Sequence, residues 1–102
     1  MSTQENRIKD ANTDFLLQCI LSLETMEECY SFFEDLCTVP EIKSMARRIV
    51  VAKMLTENKK YEEVVEKTGA STATISRVNR SLCYGTSGYD IVFGRCALNE
   101  EA

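Results

Sequence analysis

The residues of this chain best equipped for chemistry are cations and hydroxyls. Arg77 and Arg80 stand three apart in the stretch Gly69–Leu82, GASTATISRVNRSL, where Ile75, Val78 and Leu82 fall at helical spacing. Guanidinium groups along one helix suit paired hydrogen bonds to guanine or to phosphate. Ser71, Thr72, Ala73 and Ser76 are small enough to let a backbone close on base edges. Thr72 offers a hydroxyl to a base or phosphate, and Ala73 offers a methyl to thymine. Nucleophilic and metal chemistry lacks its parts. The 102 residues include no histidine, which removes the usual general base, the Ser-His and Cys-His pairs and the commonest zinc ligand. The five cysteines, Cys19, Cys29, Cys37, Cys83 and Cys96, form no C-x-x-C pair and are expected to be small buried hydrophobes. No pair of acids stands out from a solvated helix face, so the chain is expected to have no catalytic residue and no metal site, and not to be an enzyme.

For Arg77 and Arg80 to reach a duplex, their helix must project from a body, and the pattern supplies that device. A helix-turn-helix needs a residue tolerant of positive φ at its turn, which Gly69 provides. Val64 and Val65 are expected on the inner face of the first helix, and Ile75 and Val78 on that of the second. Ala70 is small enough for close approach, and Ser71 is a good N-cap. The helix-turn-helix then spans 60–82, with Lys59, Lys60 and Lys67 as further candidate phosphate contacts. A hairpin of two helices with a solvated arginine face fits the same residues.

The rest of the chain also reads as helix. There is one proline, Pro40, and no alternating run of strand type. A flexible N-terminus is expected over 1–12, a first helix from Thr13, and a second, MEECYSFFEDLC, behind a capping box at Thr25–Glu28. A third helix opens at Thr38–Glu41, with the stripe Ile42, Met45, Ile49 and Ala52 flanked by Ala46, Val50 and Leu55. Asn58 is placed as the cap of the fourth. The helical domain is expected over 13–85, followed by a short helix or mobile tail over 86–102. No signal-like segment or bilayer-length apolar run occurs, which predicts a cytoplasmic protein without a membrane role.

Net charge is −4, which at first opposes binding to nucleic acid. The charge is polarised, however. Residues 43–80 hold nine basic and four acidic residues, net +5, against three basic and twelve acidic elsewhere, net −9. A duplex responds to the local field within a Debye length, about 8 Å at physiological salt. Overall acidity is thus compatible with DNA binding, though it predicts weak non-specific affinity. The segment Phe15–Cys37 is apolar at 14 of 23 positions, more than one small chain readily covers. A homodimer built through these N-terminal helices is therefore expected. A monomer with these helices at its centre is the plainer alternative.

The motif formed by Gly69, Ala70, Ala73, Thr74, Ile75, Ser76 and Arg77, followed by Ser81-Leu82, resembles the recognition-helix region of the Trp repressor family. The resemblance covers roughly residues 15–85, and the whole chain looks most like the small YerC/YecD-type helix-turn-helix proteins of that class. The resemblance implies an all-α fold of about six helices, an intertwined homodimer and two DNA-reading heads. It also implies a ligand cleft at Arg47 or Arg48, Arg77 and Ser81, in which two arginines sandwich an indole. Here Val78 stands where the family has glycine, so tryptophan is not expected as a cofactor. For Arg47 and Arg48, phosphate contact or pairing with Glu28 or Glu34 is the plainer role. Glu62 and Glu63 occupy a stretch that is basic in the repressor. The expected function is a dimeric, sequence-specific DNA-binding regulator, a repressor by resemblance, with its partner double-stranded DNA and its small-molecule effector open. The alternatives are a dimeric protein-interaction module that has lost DNA binding, or a sensor of another small anionic metabolite.

Overall fold

The computed structural model describes residues 7–101, with side chains as far as Cys96. Six helices and no strand occur among the described residues: α1 (Ala11–Leu21), α2 (Met26–Leu36), α3 (Val39–Thr56), α4 (Tyr61–Thr68), α5 (Thr72–Tyr84) and α6 (Gly88–Glu101). The fold is all-α. It divides into two compact units, one ending at Val39 and the other beginning at Pro40.

In the first unit, local hydrogen bonds set the helix starts. The Asp10 carboxylate accepts from the Thr13 N–H at 2.7 Å and opens α1, two residues ahead of the expected boundary. This bond is the main reason the Asp10 carboxyl is held below its ordinary pKa. Lys9 pairs with Asp14 at 2.8 Å across the same turn. Thr25 accepts from Glu28 N–H at 3.1 Å, as the capping box requires, while the Glu28 carboxylate reaches one residue further back, to Glu24 N–H at 2.8 Å. Neither α1 nor α2 buries a single residue within the chain.

The second unit contains the core. Val51 and Ala52 of α3, Val64 of α4, Ala70 of the turn, and Ile75 and Val78 of α5 are buried together, with Met54, Leu55, Val65 and Leu82 packed against them. The stripe expected along α3 is corrected accordingly. Val51, Ala52 and Leu55 face the core, whereas Met45, Ile49 and Val50 are exposed. Residues one turn apart along a helix share a face, but only the C-terminal half of α3 meets this cluster.

Asn58 also departs from expectation. Its φ of +64° places it in the left-handed region, where it ends α3 instead of capping α4. Asn58 N–H donates to Leu55 at 3.0 Å and Lys59 N–H donates to Met54 at 3.1 Å, the two bonds of a Schellman stop. Asparagine tolerates that conformation because its short amide can bond locally. The backbone of Lys60 takes the N-cap position of α4, and the Glu63 carboxylate accepts from its N–H at 3.3 Å.

Gly85 follows α5 so closely that a Cβ there would collide with the Ser81 carbonyl, so no larger residue fits this turn. Beyond it the chain is helical as α6, longer than a segment from Tyr89 to Cys96. Tyr89 and Phe93 stack with ring centroids 5.8 Å apart, and the Lys53 ammonium lies 5.3 Å from the Phe93 centroid. Both rings pack against the core cluster, which seats the start of α6 on this unit. All five cysteines are free thiols, and the expectation that they are buried is corrected. Cys19, Cys29 and Cys37 are half-buried, and Cys83 and Cys96 are exposed. The last two sit on sides of α5 and α6 that none of the described residues covers. No described helix is long and apolar enough to cross a membrane.

Candidate nucleic-acid interface

The helix-turn-helix begins with the end of α4. Gly69, at φ +72°, is in the left-handed conformation and its N–H donates to Val65 at 2.8 Å. Thr68 fastens the turn from both sides: its hydroxyl donates to the Val64 carbonyl at 2.7 Å and accepts from Ala70 N–H at 3.1 Å. Ser71 then caps α5, accepting from Thr74 N–H at 3.1 Å. Glycine is the residue that adopts this φ without strain, and Ala70, 3% exposed, leaves room for α4 and α5 to approach.

From that cap, α5 divides into two faces. Ile75 and Val78 are buried and Leu82 half-buried on one side. Thr72, Ala73, Ser76, Arg77 and Arg80 are exposed on the other. At about 100° per residue these five positions span an arc of about 140°, opposite the buried three. Ser71 is exposed at the N-terminal tip of the same helix. Lys59 and Lys60 lie in the connection before α4 and Lys67 in its last turn, all exposed. Glu62, Glu63 and Glu66 are exposed on α4 as well. Among the described residues of this unit, none of the basic side chains of α4 and α5 is engaged in an ion pair. Their charge is therefore available to a partner.

Next to this face lies a cavity of about 330 Å³. Ser44, Arg47 and Arg48 line it from α3, and Thr74, Arg77, Val78 and Ser81 from α5; Ala70 and Tyr89 complete the lining. The structure thus gathers Arg47, Arg48, Arg77 and Ser81 around one space, with Arg77 common to the cavity and the outer face of α5. Three lining residues went unnoticed in the sequence. Ser44 and Thr74 each precede a lining arginine by one helical turn, a signal that was there to be used. Tyr89 carried none, because its place depends on how α6 docks.

Comparison with known proteins bears on this arrangement. The family model of the Trp repressor protein matches residues 11–97. The chain is 49% identical over 92 residues to the uncharacterized protein YerC of Bacillus subtilis (strain 168), covering 90% of this chain and 88% of that one. A crystal structure of a TrpR-like protein from Eubacterium eligens ATCC 27750 shares the fold with a TM-score of 0.87 at 56% identity, over 91% of this chain and 96% of that chain. A Staphylococcus aureus protein provisionally assigned as a Trp repressor gives 0.86 at 47% identity, over 94% and 96%. With the match running from the first residue of α1 into α6, the chain belongs to the Trp repressor family.

Proposed function

We propose that this protein is a sequence-specific reader of double-stranded DNA that regulates transcription as a homodimer and does not use tryptophan as its effector. The observation that carries the proposal is the division of α5 into a buried face, which fixes the helix to the core, and an exposed face of small residues and arginines. Thr72, Ala73 and Ser76 let the helix close on base edges. Arg77 and Arg80 bind guanine or phosphate, and Lys59, Lys60 and Lys67 hold the backbone on either side.

The dimer is supported by the first unit. Phe15 is 68% exposed and Leu21 83%, with Met26, Tyr30 and Leu36 also uncovered. A second copy is the partner that a symmetric assembly brings to such a surface. Two heads related by a two-fold axis read a pseudo-palindrome with half-sites about one helical turn apart, as helix-turn-helix dimers do in general.

The cavity lining supports an effector other than tryptophan. Val78 takes the place of the family glycine, is 3% exposed and lines the space. A β-branched side chain here takes up space that an indole held between two arginines would need, which supports this reading.

The test is selection from pooled random duplexes at two salt concentrations. Enrichment of a two-fold-symmetric sequence with salt-sensitive affinity is expected. Arg77→Glu should abolish it without dissolving the dimer, and so should Arg80→Glu, which leaves the cavity lining intact. If no sequence is enriched even at low salt, the exposed Glu62, Glu63 and Glu66 favour the second reading, a dimeric interaction module.

A further inference from the structure

We propose that the cavity of the second unit binds a small, multiply charged oxyanion of phosphate type, and that this anion antagonises DNA binding. The binding step stands on the cavity itself. Its regulatory meaning rests on the DNA-reading proposal above.

Three arginines, Arg47, Arg48 and Arg77, line a space of about 330 Å³ that has no acidic residue in its lining. Arginine keeps its charge at any physiological pH. Repulsion among the three is therefore relieved by an anion and not by loss of a proton. A monocarboxylate would offset one charge of three. A phosphate-type group offsets two or more, and its oxygens match the paired donors of a guanidinium. Ser44 and Ser81 belong to the same lining, and a serine hydroxyl is a donor that an oxyanion accepts. The apolar lining is small, made of Ala70, Val78 and the half-buried Tyr89, so a large hydrocarbon would find little to pack against. A volume near the lower end of ligand sites also favours a ligand of few atoms.

Arg77 connects the two functions. It belongs to the exposed face of α5 and to the cavity lining. A guanidinium drawn to an anion in the cavity is withdrawn from the duplex, and by linkage the duplex weakens the anion in return. The sign is that of an inducer.

A phosphate of the duplex backbone offers the same chemistry as a free anion, so the test separates the two. The full-length protein is titrated calorimetrically with inorganic pyrophosphate, without DNA, at low and constant ionic strength. One site per chain is expected. Arg48→Gln should weaken it at least about tenfold, the order of one lost charge-assisted bond, with the helical circular dichroism unchanged. No heat at millimolar pyrophosphate overturns the site. So does affinity unchanged in both Arg47→Gln and Arg48→Gln, which would put the ion elsewhere, or a preference for L-tryptophan over pyrophosphate. If pyrophosphate does not bind and Arg48→Gln instead weakens duplex binding, the cavity arginines serve the DNA backbone and the proposal falls. Where a duplex has been selected, saturating pyrophosphate should lower its affinity at constant ionic strength; an unchanged or raised affinity overturns the antagonism. Failure of duplex selection with pyrophosphate binding intact would count against the DNA-reading proposal alone.

Discussion

Two regions of this molecule use apolar residues in opposite ways. From Pro40 onward, six small and medium side chains on α3, α4, the Gly69 turn and α5 are sealed from solvent. Up to Val39 the helices are richer in large apolar residues, yet none is buried within the chain. Composition therefore does not predict where a core forms. The hairpin of α4 and α5 closes through residues 11 to 14 positions apart, Val64 with Ile75 and Val78, so the loop-closure cost is small and modest side chains suffice. The first unit has no such local partner for its apolar surface, and its large side chains match what a second chain would supply. One region holds its shape by itself, and the other, on the dimer proposal, is completed by a second copy.

The largest effect is expected at Ile75, which is fully buried. Ile75→Ala is expected to destabilise the second unit by about 2–5 kcal/mol, the usual cost of such a cavity, measured by chemical denaturation. A loss near zero would show that this cluster is not the core. Next in size is the double change Phe15→Glu with Leu21→Glu. It should weaken the dimer by at least about 100-fold, corresponding to the burial of one to two such side chains, while the helical spectrum persists. Sedimentation velocity reads the outcome, and an unchanged dimer would move the interface away from α1. A smaller effect is expected at the turn. Gly69→Val forces a β-branched residue to φ +72° and should cost about 1–2 kcal/mol. It should also lower duplex affinity, because the angle between α4 and α5 is set there.

The smallest effect belongs to Asp10. Its carboxyl is held below its ordinary pKa by the bond from Thr13. The cap is therefore fully present above the unfolded carboxyl's pKa and is lost as pH falls through the lower folded value. Asp10→Ala should fray the first turn of α1, seen as faster amide exchange at Thr13, and should remove the acid dependence of that exchange. Exchange at α5 should not change. A shift there would mean that the caps of the first unit support the second.

Much of the candidate interface was legible because it is local. Gly69 as the turn, Ser71 as the cap, and Ile75 and Val78 opposite Thr72, Ser76, Arg77 and Arg80 follow from hydrogen bonds and periodicities that span at most a few residues. The two arginines of α3 were associated with Arg77 through family resemblance; nothing in their spacing pairs them. Asn58 was misread because a cap for the next helix and a stop for the previous one use the same side chain. The choice depends on the sign of φ, which no local pattern settles.

What the sequence determined by itself is the helical class, the turn and the two faces of α5, because each is decided by the period of the helix and by groups within hydrogen-bonding reach along the chain. The tertiary structure alone decided which half of the α3 stripe is buried, and that Tyr89 and Phe93 seat α6 against the core. It alone also brought Ser44, Arg47, Arg48, Arg77 and Tyr89 around one cavity. These residues lie up to 45 positions apart in the chain. Their meeting depends on how whole helices pack, which is set by the sum of many contacts and not by any one spacing.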